Sequence, residues 1–165
     1  LVAVTLDAQP TLARQGGVRT VPAGAFLQSA MSTDLGADEM LVAASYPRCA
    51  PGEVSAFRMF NLRHGDFAIA AAAVTMAFEE GRATGLRLGV AAGEAVPARL
   101  DAVVERFRGE RPTPRWIAQL ARAAREAVAP EDHPRIPADY RKELLETLVA
   151  RALTRCVERA SETST

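Results

Sequence analysis

Cysteine, aromatics, lysine, net charge and long apolar runs are all scarce in this chain, and each shortage excludes something. Two cysteines, Cys49 and Cys156, stand far apart in 165 residues. That spacing builds neither a disulfide framework nor a metal-ligand set, and it fits structural free thiols in a reducing cytoplasm. Twenty basic side chains cancel twenty acidic ones, so no global field draws the chain to nucleic acid or to an anionic membrane. All but Lys142 of the basic residues are arginine, and they read as solvated helix faces. The longest apolar stretch, Phe67 to Val74, is alanine-rich and far short of the ~20 residues of a transmembrane segment. Neither a signal-peptide pattern nor an initiator Met opens the sequence, and Leu1-Val-Ala-Val-Thr-Leu6 reads as a chain that begins within a domain. With aromatics at 5% and hydrophobic residues at 48%, Ala, Val and Leu fill the interior of a globular protein.

Periodicity divides the chain in two. Leu1 to Leu6 reads as a strand, followed by a turn at Asp7 to Pro10. Thr11 to Arg14 pairs with Val18 to Val21 across Gln15-Gly16-Gly17 as a hairpin. Pro22 opens a short helical turn bearing Phe26 and Leu27. After a loop at Leu35 to Glu39, Met40 to Tyr46 forms another strand. Two prolines and a glycine between Pro47 and Gly52 mark a domain boundary. Beyond it, Val54 to Leu62, Ile69 to Phe78 and Leu86 to Ala92 read as strands, the last two joined by a polar hairpin loop at Glu79 to Gly85. The Ala70 to Ala73 run has helix propensity, yet Val74, Thr75 and Phe78 favour strand.

Then the period lengthens. A helix is predicted from Pro97, with Leu100, Val103, Val104 and Phe107 at helical spacing and Gly109 at its end. Thr113-Pro114 caps a second, which carries Trp116, Ile117, Leu120, Ala124 and Val128. A third runs from Ala138 to Ala160 with a stripe through Tyr140, Leu144, Leu148, Ala152 and Cys156, widened by Leu145, Val149 and Leu153. Ser161 to Thr165 reads as a tail. The expected fold is α+β: a three-stranded antiparallel sheet covered on one face by three helices, its other face free to meet a neighbour.

Reactive groups are few. His64 precedes Gly65-Asp66 in a sharp turn, and His133 sits between Asp132 and Pro134; neither has a partner spaced as in a triad or a zinc site. Asp66 suits a turn-capping role, with Gly65 supplying the unusual backbone angles. Gly81-x-x-x-Gly85 and Gly89-x-x-x-Gly93 lack the context and the lysine of a phosphate-binding loop. The residues describe a binding, electron-transfer or interaction part of something larger.

One ordered series of motifs says more. Leu1-Val-Ala-Val-Thr-Leu-Asp-Ala and Arg19-Thr-Val-Pro-Ala-Gly-Ala-Phe26 come first, followed by Thr33-Asp-Leu35 with Asp38-Glu39-Met-Leu41. Phe57 to Val74 then holds Arg63-His-Gly-Asp-Phe-Ala68. Last come Pro97-Ala-Arg-Leu100, and Asp139-Tyr-Arg-Lys142 with Leu148-Val-Ala-Arg-Ala-Leu153. The series resembles the FAD-binding (medium) subunit of the molybdenum hydroxylases, the xanthine dehydrogenase and aerobic carbon monoxide dehydrogenase family, over its C-terminal portion. The resemblance implies that residues 1–47 close an incomplete FAD-binding α+β domain, that 53–160 form the subunit's C-terminal domain, and that 161–165 are a tail.

It implies a function too. Such subunits pass electrons from iron–sulfur clusters through FAD to an acceptor. The molybdenum cofactor and [2Fe–2S] clusters reside in partners, a molybdopterin large subunit and an iron–sulfur small subunit, so the assembly is a hetero-oligomer. The family's glycine loops for the FAD pyrophosphate precede the point where this chain starts, so FAD is expected to bind these residues weakly and the piece alone to be inactive. The resemblance places Leu35 against the flavin ring. The family's lysine near the flavin falls at Arg58-Met59, where either its charge is lost at Met59 or Arg58 replaces it from the opposite strand face. The alternative is a non-catalytic assembly module without flavin.

Overall fold

The computed structural model describes residues 1–92, 94–132 and 134–163. In chain order its elements are a one-turn helix α1 (Val2–Thr5), strands β1 (Gln9–Arg14) and β2 (Gly17–Thr20), a short helix α2 (Ala23–Phe26), and strands β3 (Leu27–Ser29), β4 (Ser32–Thr33) and β5 (Met40–Ser45). Strands β6 (Val54–Phe60), β7 (Ala70–Glu79), β8 (Arg82–Ala91) and β9 (Ala98–Arg99) follow. Helix α3 (Asp101–Val104) runs into a 3-10 turn at Glu105–Phe107, and helices α4 (Pro114–Glu126) and α5 (Ala138–Thr163) complete the chain.

Antiparallel pairing in the order β6-β7-β8-β9 builds the main sheet. Strand β7 is its spine: Ala70 through Met76 are buried without a break. The strand reading of the alanine run holds because tertiary burial outweighs propensity. Small side chains there let layers approach closely on both faces. On one face α4 and α5 close the core with Leu86, Leu88, Val90, Trp116, Leu120, Leu145, Val149 and Leu153. Thr113 caps α4 by accepting the Trp116 N–H at 3.2 Å, and Pro114 occupies the first turn, as the sequence suggests. The Trp116 indole N–H donates to Phe107 O at 3.1 Å, and the two rings meet edge to face at 5.9 Å. On α5 the predicted stripe is buried from Leu145 to Cys156, whereas Tyr140 at its start is exposed.

Several expectations need correction. Leu1 to Leu6 is a helical turn, not a strand. The Thr5 hydroxyl donates back to Leu1 O at 3.1 Å, Asp7 ends the turn at a φ of 55°, and Val4 and Thr5 are buried. α1 lies across β8, so the second sheet face is partly covered by this chain itself. Gly89 makes that possible: a Cβ there would stand 1.8 Å from Thr5 Oγ1. The polar loop between β7 and β8 shrinks to Glu80-Gly81, with φ of 50° and 74°, the two positive values a type I′ turn demands. The helix expected from Pro97 begins only at Asp101, because Ala98 and Arg99 pair with Val90 and Gly89 as a fourth, two-residue strand. Helix α5 continues through Thr163, past the predicted end at Ala160.

Before this sheet the expected hairpin forms, but with a tighter turn: Gly17 pairs with Arg14 rather than standing in the loop, and Gln9-Pro10, read as a turn, begins β1; β5 pairs on the other side of β1 in the order β2-β1-β5. The β3–β4 pairing was not legible in the sequence. The helical turn forms at α2, but Pro22 is its N-cap rather than its first residue, and Leu27, expected on the turn, begins β3.

Candidate functional site

Leu35 stands in the loop between β4 and β5, with its side chain exposed. Asp34 on one side of it is tied to the Arg19 guanidinium directly, and Gly36 on the other side through Glu39. Arg19, on β2, donates from Nε to Glu39 Oε1 and from Nη2 to Glu39 Oε2, both at 2.7 Å. Its Nη1 reaches Asp34 Oδ2 at 2.7 Å, and Nη2 also donates to the Asp34 carbonyl. On the far side of Leu35, the Gly36 N–H donates to Glu39 Oε2 at 2.7 Å, and the Asp34 N–H donates to Phe26 O at 2.8 Å. The planar fork suits this bidentate arrangement. Hydrogen bonds from Arg19, with help from Gly36, hold the Glu39 carboxyl at about 2, and those from Glu39 and Asp34 raise Arg19 above its usual value.

Arg58 and Met59 face opposite ways, as the pleat requires. Arg58 pairs with Ala72, which belongs to the helix-covered core; Met59 pairs with Ala71 on the face that carries Gly89 and α1. Met59 and Phe57 are exposed on that face, beside the buried Ala71 and Ala73. Arg58 Nη1 turns back to the Phe57 carbonyl at 3.0 Å, and Arg159 from α5 donates to the Ser55 carbonyl. Two arginines thus blunt the open edge of β6. Behind them a cavity of about 320 Å³ opens among Thr5, Leu6, Phe57, Arg58, Thr75 and Arg159. Thr75 Oγ1 is buried there without a hydrogen-bond partner.

The turn at Arg63-His-Gly-Asp66 is held through backbone groups: the Asp66 N–H donates to Arg63 O at 3.1 Å, and the Asn61 amide to Asp66 O at 3.4 Å. Gly65 adopts a φ of 92°, as its place in the turn suggested. His64 is exposed, and Phe67 beside it is 94% exposed. His133 and Gly93 lie outside the described residues. Cys49 is exposed and Cys156 buried, and burial pushes the Cys156 thiol up to about 12 against smaller opposing effects of Arg159 and Arg58. Among the described residues no group of His, Cys, Asp and Glu could hold a metal ion, and no helix is long and apolar enough to cross a membrane.

Comparison with known proteins decides the family. The model of the CO dehydrogenase flavoprotein C-terminal domain matches residues 55–156. The chain belongs to that family. Among the relatives of this flavoprotein domain is the 6-hydroxypseudooxynicotine dehydrogenase complex subunit alpha of Paenarthrobacter nicotinovorans. It is 29% identical over 99% of this chain and 55% of its own length. The carbon monoxide dehydrogenase medium chain of Hydrogenophaga pseudoflava is 27% identical over 92% of this chain and 53% of its own. Solved structures agree. Carbon monoxide dehydrogenase from Hydrogenophaga pseudoflava, in a form lacking the Mo-pyranopterin moiety, superposes with a TM-score of 0.88 over 96% of this chain at 27% identity. Quinoline 2-oxidoreductase from Pseudomonas putida 86 gives 0.89 over 96% at 26% identity. Both matches cover 55% of those chains, so this chain spans about half the length of the relatives it matches. It is a C-terminal portion of the flavoprotein (medium) subunit, as its motif series suggested.

In the sequence Arg19 and Glu39 stand only as motif positions. Their partnership spans twenty residues and the three short elements α2, β3 and β4, and no local spacing reports it.

Proposed function

We propose that this chain is part of the FAD-binding subunit of a molybdenum-dependent oxidoreductase, in which electrons pass from iron–sulfur clusters through FAD to an acceptor. The observation that carries the reading is the match of residues 55–156 to a flavoprotein domain, together with superposition of 96% of the chain on carbon monoxide dehydrogenase. On this reading residues 1–47 close the flavin-binding domain and 53–160 form the C-terminal domain. The partners are an iron–sulfur small subunit and a molybdopterin large subunit, which hold the [2Fe–2S] clusters and the molybdenum cofactor in a cytoplasmic hetero-oligomer.

The residues present fit one part of the cofactor. Leu35 and Met59 offer exposed apolar side chains suited to the flat face of an isoalloxazine ring. Bound flavin supplies one- and two-electron chemistry. What this chain adds is an apolar wall at Leu35 that limits water and, at Met59, a neutral side chain on the face that α1 shares. Arg58 contributes charge from the other side of the strand and lines the cavity behind it. The turns at Gly16, Gly65 and Gly81 join strands or close a loop and do not precede a helix N-terminus, so they make no phosphate cradle. These 165 residues therefore hold FAD weakly on their own.

Titration with FAD tests this directly. The isolated 165 residues should take up little flavin, and the full-length subunit should take up one equivalent. Tight stoichiometric uptake by the short chain would overturn the division of labour, and no uptake by the long one would overturn the function. A second reading, an assembly module without flavin, draws on the exposed apolar side chains of Leu62 and Phe67 beside the His64 turn. Stable association of a flavin-free full-length subunit with the two partners would favour it.

A further inference from the structure

We propose that Arg19 is a positioning residue for the flavin wall: its fork fixes the Asp34–Glu39 loop so that Leu35 is presented at one place and one angle. The inference rests on the reading of Leu35 as a cofactor contact. Leu35 is 39% exposed and belongs to neither buried cluster of the core. What holds it is the restraint on its two neighbours. Asp34 is tied through its carboxylate and its carbonyl to the guanidinium, and through its N–H to Phe26 O. Gly36 is tied through its N–H to Glu39 Oε2, and the other oxygen of that carboxylate accepts Arg19 Nε. One side chain therefore closes a ring of hydrogen bonds around a single exposed leucine. A Cβ at position 36 would come within 3.1 Å of Glu39 Oε2, so the ring closes tightly on that side. Sites built on loops lose precision unless a supporting shell locks them, and here that shell is charged, bidentate and anchored on a strand. A nearby pair supplies a contrast: Arg14 meets Asp38 in the same loop loosely, at 3.9 Å, and acts on Glu39 only weakly through space.

The test uses the full-length flavoprotein subunit loaded with FAD, carrying Arg19→Ala, Arg19→Lys, Glu39→Gln, Leu35→Ala or Arg14→Ala. Bound flavin per subunit, melting temperature and iodide quenching of flavin fluorescence are measured on each. Leu35→Ala should raise quenching severalfold at full flavin occupancy. Arg19→Ala and Glu39→Gln should reproduce most of that rise, Arg19→Lys should fall between, and Arg14→Ala should match the unsubstituted protein. Glu39→Gln carries the test if Arg19→Ala folds poorly. A rise with Leu35→Ala but none with either Arg19→Ala or Glu39→Gln overturns the positioning role. A rise with Arg14→Ala equal to theirs overturns it as well, because any loop charge would then suffice. If Leu35→Ala changes nothing at full occupancy, the wall reading falls and takes this inference with it. If the unsubstituted subunit binds no FAD, the proposed function itself is wrong.

Discussion

Replacing Gly89 by alanine puts the packing of α1 on the sheet to a quantitative test. The new Cβ would stand 1.8 Å from Thr5 Oγ1, 2.9 Å from Thr5 Cβ and 3.1 Å from Leu1 Cδ1. An ordinary carbon contact is about 3.5 Å, so the shortest of these falls short by roughly 1.5–2 Å. Rotating Thr5 about χ1 does not relieve it. That movement breaks the hydroxyl's bond to Leu1 O, worth about 1 kcal/mol net, and Thr5 Cβ remains too close. The helical turn must lift, uncovering Val4 and Thr5, which are 7% and 1% exposed. Overpacking costs about 1–3 kcal/mol, and with the lost hydrogen bond we expect about 3 kcal/mol. For a chain of this size that lowers the melting temperature by about 6–12 °C. Thermal and urea unfolding followed by circular dichroism provide the measurement. Gly24→Ala is the control: nothing lies within 4 Å of a Cβ at that helical position, so the change should be neutral or stabilise by about 0.4–1 kcal/mol. Thr5→Ala added to Gly89→Ala should recover about 1 kcal/mol, since the 1.8 Å contact disappears and the 2.9 Å one stays. Equal stability of the Gly89→Ala and Gly24→Ala proteins would refute the close approach of α1 to β8.

Further outcomes follow from single sites. Ellman's reagent should titrate one thiol in the native protein, Cys49, and two after unfolding, because Cys156 is buried and its thiol is pushed up to about 12. Glu39 titrates at about 2 when folded against an ordinary 4.5, so its contribution is fully present above pH 4.5 and is lost as pH falls through 2. Glu39→Gln should therefore flatten part of the acid limb of stability between those values, seen as a smaller loss of melting temperature on acidification. Leu120→Ala, at a site fully closed beneath α4, should cost about 2–5 kcal/mol in urea unfolding. In the flavin-loaded full-length subunit, Met59→Lys should raise the flavin midpoint potential by on the order of tens of millivolts, since a cation near the ring favours the anionic reduced form. Spectroelectrochemical titration reads this, and an unchanged potential would remove Met59 from the flavin's surroundings.

The alanine-rich spine shows where sequence reasoning succeeds and why. Ala70 to Ala73 has helix propensity, yet Val74, Thr75, Phe78 and the hairpin loop that follows all point to a sheet, and their agreement decides for strand. Helix α4 is legible for the same reason, its cap at Thr113, stripe through Leu120 and stop before Pro130 agreeing, whereas α5 is legible from the stripe through Leu148 alone and its end is not. Failures fall where the deciding partner is distant. Leu1 to Leu6 carries three β-branched residues and reads as a strand, but its conformation is settled by Gly89, more than eighty residues away. Ala98 and Arg99 pair with β8 before the helix starts, a choice made by an available sheet edge that the residues near Pro97 do not announce.

The candidate site divides the same way. That Arg58 and Met59 must face opposite directions follows from the pleat alone, but which of them looks toward α1 depends on the strand register. Sequence gives no register between strands separated by a loop such as 61–69. Pairing Met59 with Ala71, and through the neighbouring rung Ala73 with Gly89, places the neutral side chain on the side shared with α1, and the charged one with the helices. A basic residue on this strand therefore does not by itself place a charge on the α1 face. Arg58 instead spends one donor on the edge carbonyl of Phe57, beside Arg159 on that of Ser55. Arg58 reaches the α1 side only at the strand edge, where it lines the cavity with Thr5 and Leu6, and substituting it should alter the edge of β6 before it alters any flavin property.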